Sequence, residues 1–212
     1  MITTNWTSEV DSEEQPNATK RAGEAGNSSD MNQVVSANNR VYFYSEVSRP
    51  QNLILNKSIK NLEINMFNKS AALQMKSTGD IYLHINSYGG SVFAGFSSVD
   101  YIRNSKIPVT TIIDGCAASA ATMMSIVGSH RMMSEHSFML IHQLSAGSWG
   151  KYEELKDNMA NNDLLMKTIK DIYDEHAKIP AKDLAKLLQR DIWWNAKTCL
   201  KYGLIDEIIV PS

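Results

Sequence analysis

The chain has 212 residues, enough for one domain with a substantial core, because a chain of this length buries about 70 per cent of its unfolded surface on folding. Its 21 Lys and Arg residues against 23 Asp and Glu leave no general positive field, which argues against nucleic acid and acidic membrane surfaces as partners. Two cysteines are too few for a disulfide framework, and there is neither a signal sequence nor an apolar run of about 18 residues, so we expect a soluble, cytoplasmic protein.

The N-terminal segment differs in composition from the rest of the chain. Residues 1–39 are rich in Asn, Ser, Thr and Glu, and they carry six acidic side chains against two basic ones. No helical or strand period is visible, and such a segment cannot bury enough apolar surface to offset its ordering entropy. We predict a disordered tail or propeptide over 1–39 and a folded domain over 40–212.

The folded domain begins with a short predicted strand, "RVYFYSEV", in which Val41 and Phe43 alternate with polar-tipped residues. A helix is predicted next from an approximate apolar stripe, formed by Leu53, Ile54, Ile59, Leu62 and Ile64. The following strand, "DIYLHIN", places its isoleucines and leucine on one face and runs directly into Gly89 and Gly90.

Helices and strands continue to alternate along the chain. A helix carrying Phe96, Val99 and Ile102 is followed by the strand "VTTIID" and by an Ala-rich helix that Gly128 can close. The strand "FMLIH" ends at His142. The alternation predicts the α/β class.

A long helix is predicted after the turn "SAGSWG". Apolar residues keep a 3-4 spacing over roughly six turns, and they are Tyr152, Leu155, Met159, Met166, Ile169 and Tyr173. Few apolar segments lie nearby in sequence, so we expect this helix to project and to pack on another copy of the chain. Asn195 then caps a short helix that Gly203 ends, and "LIDEIIV" is a last strand.

Two features could provide an oxyanion hole and a nucleophile. The glycines of "INSYGGSV" allow backbone N–H groups to face outward, although an ordinary tight turn explains them equally well. In "GCAASAA", Ser119 stands where a helix begins, and free N–H groups such as that of Ala120 can stabilise negative charge there. The alternative is a small residue that allows close packing. We interpret Cys116 as a packed small residue, not a nucleophile.

A serine nucleophile needs a base, and five histidines are available. His84 lies within a strand, His130 and His136 lie in a polar connection, and His176 is near the end of a charged helix. His142 ends an apolar strand before a glycine-containing loop, where α/β scaffolds present catalytic side chains. It is therefore the candidate base.

The carboxylate that would orient this histidine is not determined by spacing. Asp191 lies in "RDIWW", beside apolar side chains that could keep water out, but an Asp after an Arg is more often part of a surface ion pair. Asp114 and Asp206 compete with it. From the residues alone, Asp191 is only the leading hypothesis.

Four segments together resemble the proteolytic subunit of the Clp protease family. They are "INSYGGSVFAG", "GCAASAA", "LIHQL" and "RDIWWNAKTCLKYGLIDEI", which match in order and in spacing over about residues 40–210. The resemblance implies a Clp-protease/crotonase-like ββα spiral, in which the long helix after His142 is a protruding handle helix.

The resemblance also implies the role of each site residue. Ser119 would be the nucleophile, His142 the general base, and Asp191 the carboxylate that orients the imidazole. Gly90 and Ala120 match the positions whose N–H groups form the family's oxyanion hole. The implied reaction is hydrolysis of peptide bonds in unfolded proteins and short peptides through an acyl-enzyme, with no cofactor or metal held by this chain.

The implied partners are other copies of the chain, in two stacked seven-membered rings (a tetradecamer), and an AAA+ unfoldase that would use the ATP. Some positions depart from the family pattern. Tyr88 and Leu144 replace prolines, and Ala120 replaces a methionine. On the face where the family binds its unfoldase, Tyr82 keeps an aromatic residue, while His84 and Asn104 replace others.

Two other functions remain as alternatives. A crotonase-like acyl-CoA hydratase or isomerase would use paired backbone donors, but it would need a catalytic carboxylate in place of a Ser-His pair. An inactive ring subunit would serve assembly alone, and the presence of all three candidate triad residues argues against it.

Overall fold

A two-stranded hairpin opens the part of the chain that the computed structural model describes, which is residues 33–210. Its strands are antiparallel, and Asn38 in the turn has a φ of 54°, a left-handed conformation that Asn tolerates well. The predicted tail is therefore wrong at its C-terminal end, because residues 33–37 form an edge strand that continues the sheet. The prediction for residues 1–32 lies outside the described residues.

Strands and helices alternate along residues 33–210, as the α/β prediction requires. The strands are β1 (Gln33–Ala37), β2 (Arg40–Tyr44), β3 (Ile81–Ser87), β4 (Val109–Ala118), β5 (His130–Ser134), β6 (Phe138–Leu140), β7 (Trp193–Asn195) and β8 (Glu207–Ile209). The helices are α1 (Arg49–Ala72), α2 (Val92–Arg103), α3 (Ala120–Ile126), α4 (Tyr152–His176), α5 (Ala181–Leu187) and α6 (Ala196–Lys201).

The main sheet has the strand order β1-β2-β3-β4-β5-β8, and its strands are parallel from β2 onward. On one of its sides, β4 pairs with two different strands along its length. Its first half, residues 110–113, pairs with β5, and its second half, residues 116–118, pairs with β6. Gly115, with a φ of +87°, lies between the halves. The change of partner turns the sheet, as expected for a ββα spiral, and carries the end of β4 to the candidate site.

The apolar alternation of β3 is confirmed, since Ile81, Leu83 and Ile85 are all fully buried. The prediction that His130 lies in a polar connection is wrong, because His130 is the first residue of the strand β5. Most residues of β5 are half-buried, so no alternation of buried and exposed residues marks this strand in the sequence.

The predicted face of α1 is wrong for three of its five residues, while Ile59 is buried and Leu62 packs against the core. Leu53 is 60% exposed, and Ile54 and Ile64 are also exposed, while the helix buries mainly polar residues with Leu55 and Ile59. Asn52 donates through Nδ2 to the Ala94 carbonyl at 3.1 Å and to Ser98 Oγ at 2.6 Å. Hydrogen bonds to α2 therefore decide which face of α1 is buried.

The long helix α4 has 25 residues, and only its C-terminal part is buried, through Ile169, Ile172 and Tyr173. The apolar side chains nearer its start are exposed, as predicted for a projecting helix. At the end of the chain, Asn195 caps α6 by accepting a hydrogen bond from the Thr198 amide at 2.9 Å, and Gly203 follows with a φ of +65°. No helix in residues 33–210 combines the length and apolar content needed to cross a membrane.

Candidate active site

Ser119 occupies a strained turn between β4 and α3. Its φ of 54° and ψ of −127° lie in a region that non-glycine residues rarely adopt, at a cost of about 1–3 kcal/mol. Its amide donates to the Leu140 carbonyl at 2.9 Å, which ties the turn to β6. The hydroxyl makes no capping hydrogen bond to α3, so it is available for other chemistry. A strand, a strained serine and a helix are the local geometry of a nucleophile elbow.

The pairing of β4 with β6 brings His142 close to this turn. Ala118 is paired with Leu140, and the parallel register places Ser119 beside Ile141, the residue before His142. The backbone amide of Gln143 donates to the Leu188 carbonyl at 2.7 Å, which fixes the chain on the other side of the histidine. The half-buried His142 is thus held from both sides.

The pairing of β6 with β7 explains the position of Asp191. Leu140 is paired with Trp193 in an antiparallel register, so two further steps set His142 opposite Asp191. The side chains meet with 3.8 Å between His142 Nδ1 and Asp191 Oδ1, and the Asp191 side chain is 80% exposed. This separation is an ion-pair contact and is too long for a hydrogen bond.

The two competing carboxylates are bound to other groups. Asp114 accepts from His84 Nδ1 at 2.5 Å, and Asp206 binds the Arg131 guanidinium at 2.6 Å. Of the three aspartates considered, only Asp191 lies against His142. The structure therefore places Asp191 against His142. Among residues 33–210, no hydrogen bond joins Ser119 to the His142 ring.

Gly89, the first of the two glycines, packs directly against the Ser119 turn. A Cβ on Gly89 would lie 2.6 Å from Ser119 Cβ, so only glycine permits this approach. Val47 donates to the Gly89 carbonyl and accepts from the Ser91 amide, both at 2.7 Å. These two hydrogen bonds join Val47 to the residues on either side of Gly90, so the Gly90 amide takes no part in them.

The second predicted amide donor belongs to Ala120, the first residue of α3. The first four N–H groups of a helix have no partner within the helix. The amide of Ala120, next to Ser119, and the amide of Gly90, next to Gly89, are thus not used by the helix or by the hydrogen bonds of Val47. An oxyanion hole needs two such donors.

The cysteines do not compete with Ser119 as nucleophiles. Both are free thiols, and Cys116 is half-buried with its Sγ 3.6 Å from Asn86 Oδ1. Burial raises the pKa of Cys116, and it raises the pKa of Cys199 to about 12, so both favour the neutral thiol. In residues 33–210, no group of three His, Cys, Asp or Glu side chains is placed to bind a metal ion.

Sequence reasoning missed two residues behind the site, Thr122 and Tyr173. Thr122 Oγ1 donates to the Ser119 carbonyl at 2.5 Å and also contacts the Tyr173 hydroxyl. In the sequence, both residues have the pattern of ordinary helix residues. No pattern in the sequence connects them across the 51 positions that separate them.

A strained serine at a strand-to-helix turn, a histidine-aspartate pair beside it and two unused amides define the class of serine hydrolases. Comparison with known proteins narrows that class. The family model described as Clp protease matches residues 36–212. The chain therefore belongs to the Clp protease family, and it is a serine-type peptidase, a hydrolase of peptide bonds.

Individual relatives agree with the family match. The chain is 36% identical over 132 residues to the ATP-dependent Clp protease proteolytic subunit of Deinococcus radiodurans, covering 61% of this chain and 65% of the relative. It is 39% identical over 137 residues to the subunit of the same description from Streptococcus mutans, covering 63% and 70% respectively. For the Streptococcus gordonii subunit the identity is 35% over 140 residues, covering 64% and 71%.

Proposed function

We propose that this chain cleaves peptide bonds with Ser119 as the nucleophile, His142 as the general base and Asp191 as the orienting carboxylate. The observation that carries the proposal is the register through β4, β6 and β7. That register supports the proposal, because each of the three residues lies within two positions of a paired residue at the same end of these strands although they are far apart in sequence. The 3.8 Å contact between His142 and Asp191 is the direct product of that register.

In the proposed reaction, the Ser119 hydroxyl attacks the carbonyl carbon of the scissile peptide while His142 Nε2 accepts the hydroxyl proton. The negative oxygen of the tetrahedral intermediate accepts hydrogen bonds from the amides of Gly90 and Ala120. His142 then gives the proton to the leaving amine, and an acyl-enzyme remains. Water, activated by the same imidazole, releases the acyl group and restores the Ser119 hydroxyl.

The catalytic hydrogen bonds must shorten for this chemistry. Catalytic contacts are often long in a free enzyme and tighten when substrate binds. We expect the His142–Asp191 separation to fall from 3.8 Å to hydrogen-bond length, about 2.8 Å, in the working assembly. The 80% exposure of the Asp191 side chain leaves room for a substrate or a neighbouring subunit to exclude water from it.

The substrate is an extended, unfolded chain or a short peptide. Such a substrate would pair by backbone hydrogen bonds with the chain near "HQLSAG" and "YGGSV". Recognition through the main chain implies broad tolerance of side chains at the cleavage site.

The proposal includes an oligomeric chamber built from copies of this chain, as stacked seven-membered rings. Exposed apolar side chains on the projecting part of α4 support it, since Tyr152 is 73% exposed, Met159 64% and Leu164 63%. Burial of such a stripe between copies would be favourable. Native mass spectrometry that found only monomers at micromolar concentration would contradict this part of the proposal.

An ATP-driven unfoldase is the proposed partner, and the cytoplasm is the proposed location. Tyr82 lies under the Arg40 guanidinium, whose Cζ is 4.7 Å from the ring centroid, and the same arginine contacts His84. We therefore expect a partner loop that makes polar as well as apolar contacts on this face.

Active-site labelling tests the proposal. A fluorophosphonate probe should label the parent protein at Ser119, as located by peptide mass mapping, and a fluorogenic peptide should be hydrolysed. Ser119→Ala should lose both signals, while the exposed Ser77→Ala control should retain them. Peptide hydrolysis at the parental rate by Ser119→Ala would exclude this triad, and an unlabelled, inactive parent would favour the inactive ring subunit.

A further inference from the structure

The Ser119 carbonyl accepts two hydrogen bonds from one residue. Thr122 donates through its amide at 3.0 Å and through its hydroxyl Oγ1 at 2.5 Å. Together with the 2.9 Å bond from the Ser119 amide to Leu140, these contacts hold both sides of the strained turn. A residue with a φ of 54° persists only where its surroundings determine its conformation.

The Thr122 hydroxyl itself forms a hydrogen bond with Tyr173 on α4. The two hydroxyl oxygens are in hydrogen-bond contact, and both side chains are buried. The donors can be assigned from the chemistry of the groups. A carbonyl oxygen only accepts, so the single Thr122 hydroxyl proton goes to Ser119, and the Tyr173 hydroxyl must donate to Thr122 Oγ1.

Tyr173 keeps the proton that this arrangement needs. Burial raises the pKa of Tyr173, so its hydroxyl stays protonated and can donate. The chain of bonds therefore runs in one direction, from Tyr173 to Thr122 to the Ser119 carbonyl. Hydrogen bonds in such a chain polarise and strengthen one another.

We infer that Thr122 and Tyr173 are positioning residues that set the rotation of the Ser119 turn, and so the direction of its hydroxyl toward His142. The inference rests on the proposed function of Ser119 as the nucleophile. Neither side chain touches substrate, so both act through the Ser119 main chain. A small rotation of this turn would move the hydroxyl away from the base, and misplacement by about 1 Å can cost about 10²-fold in rate.

Three variants test the inference in the assembled, full-length protein. Thr122→Val preserves shape but removes the hydroxyl, Tyr173→Phe removes only the outer donor, and Thr122→Ser restores a hydroxyl. We expect kcat to fall about tenfold for Thr122→Val and about threefold for Tyr173→Phe, with KM within about twofold of the parent. Thr122→Ser should recover kcat to within about twofold.

Matched controls come from hydroxyl groups away from the Ser119 turn. Thr168→Val loses a hydroxyl bond to its own helix, and Tyr101→Phe loses an exposed hydroxyl on α2. Both should keep the parental kcat. Since Thr122→Val leaves the Tyr173 hydroxyl unpaired in the core and can hinder folding, Tyr173→Phe provides the test on its own.

The rate of fluorophosphonate labelling separates a positioning role from a merely structural one. A structural role would lower the melting temperature and the folded fraction, yet leave the labelling rate of folded protein unchanged. The inference predicts slower labelling of folded Thr122→Val and Tyr173→Phe. Labelling of both at the parental rate would overturn the inference alone, while a folded, assembled parent that is never labelled at Ser119 would overturn the proposed function and the inference with it.

Discussion

The His84–Asp114 pair and the His142–Asp191 pair differ in nearly every respect that matters for catalysis. His84 Nδ1 lies 2.5 Å from Asp114 Oδ2, whereas the corresponding His142–Asp191 separation is 3.8 Å. In the tighter pair, both ring nitrogens of His84 are hydrogen-bonded. Arg40 Nη1 donates to His84 Nε2 at 2.7 Å, and because a guanidinium can only donate, the ring proton lies on Nδ1 and points to Asp114.

Asp114 also accepts hydrogen bonds from Tyr44 and Ser134, both at 3.1 Å. The tighter pair therefore fastens four neighbouring strands, β2 to β5. The looser pair has a histidine whose second ring nitrogen makes no hydrogen bond within residues 33–210, beside a strained serine. Short distance alone does not mark a catalytic pair, because a base needs an unoccupied nitrogen and a nucleophile within reach.

The largest expected effect separates the two histidines. His142→Gln should lower kcat/KM by roughly 10⁶-fold, because the Ser119 proton then has no acceptor. His84→Gln, the matched control, should stay within about threefold of the parent. Both rates are measured with a fluorogenic peptide on assembled protein. The comparison is broken if the two variants lose activity equally while remaining folded.

The second-largest difference in activity is expected between variants of the two aspartates. Asp191→Asn should reduce kcat by about 10⁴-fold, because the amide no longer favours the imidazole tautomer that presents Nε2 to Ser119. Asp114→Asn should leave kcat close to the parental value and reduce the melting temperature instead. Full activity of Asp191→Asn would remove this residue from the triad.

The backbone donors provide a third test. Gly90 has a φ of +141°, and an added Cβ would collide with the Val47 carbonyl and displace the amide. Gly90→Ala should therefore reduce kcat by about 10²- to 10³-fold, as for loss of one oxyanion donor. Gly79→Ala is the control, since its φ of +73° carries similar backbone strain, but nothing lies within 4 Å of the added atom. Equal losses in both variants would attribute the effect to backbone strain and not to the oxyanion hole.

The smallest effect concerns acid stability. Burial by itself would raise the pKa of Asp114, but hydrogen bonds from His84, Ser134 and Tyr44 together lower it below its ordinary value of 3.8. A carboxyl group with a depressed folded-state pKa stabilises the fold fully above the ordinary value, and the stabilisation is lost as pH falls toward the folded-state pKa.

The melting temperature of the parent should accordingly fall more steeply between about pH 5 and about pH 3 than that of Asp114→Asn. Asp191→Asn should follow the parent, because that exposed carboxylate contributes little to stability. Parallel curves for the parent and Asp114→Asn would show that the tighter pair is not the structural clamp described above.

Much of the fold could be predicted because it follows local rules. The alternation in β3, the Asn195 cap and the glycine after α6 each follow from side chains close together in sequence. The face of α1 could not be predicted, because Asn52 and Asn56 are buried by partners on α2 that periodicity does not reveal. The edge strand β1 also escaped prediction, since its residues are mostly exposed and its hydrogen bonds to β2 define it.

The candidate site also contains residues that the sequence could predict and one that it could not. Ser119 and His142 could be selected from their places at a helix start and a strand end. Asp191 could not be chosen over Asp114 from spacing, because the choice depends on the register of β6 with β7, and on His84 having already bound Asp114. The resemblance to a family selected Asp191 where the residues alone left the choice open.

The most direct test of the central claim is an experimental structure of the assembled protein with a phosphonate bound covalently to a serine. We expect the phosphorus on Ser119 Oγ, His142 Nε2 within about 3 Å of that oxygen, and an Asp191 oxygen within about 3 Å of His142 Nδ1. A phosphonate on another serine, or an Asp191 carboxylate turned away from the imidazole in the labelled assembly, would contradict the account.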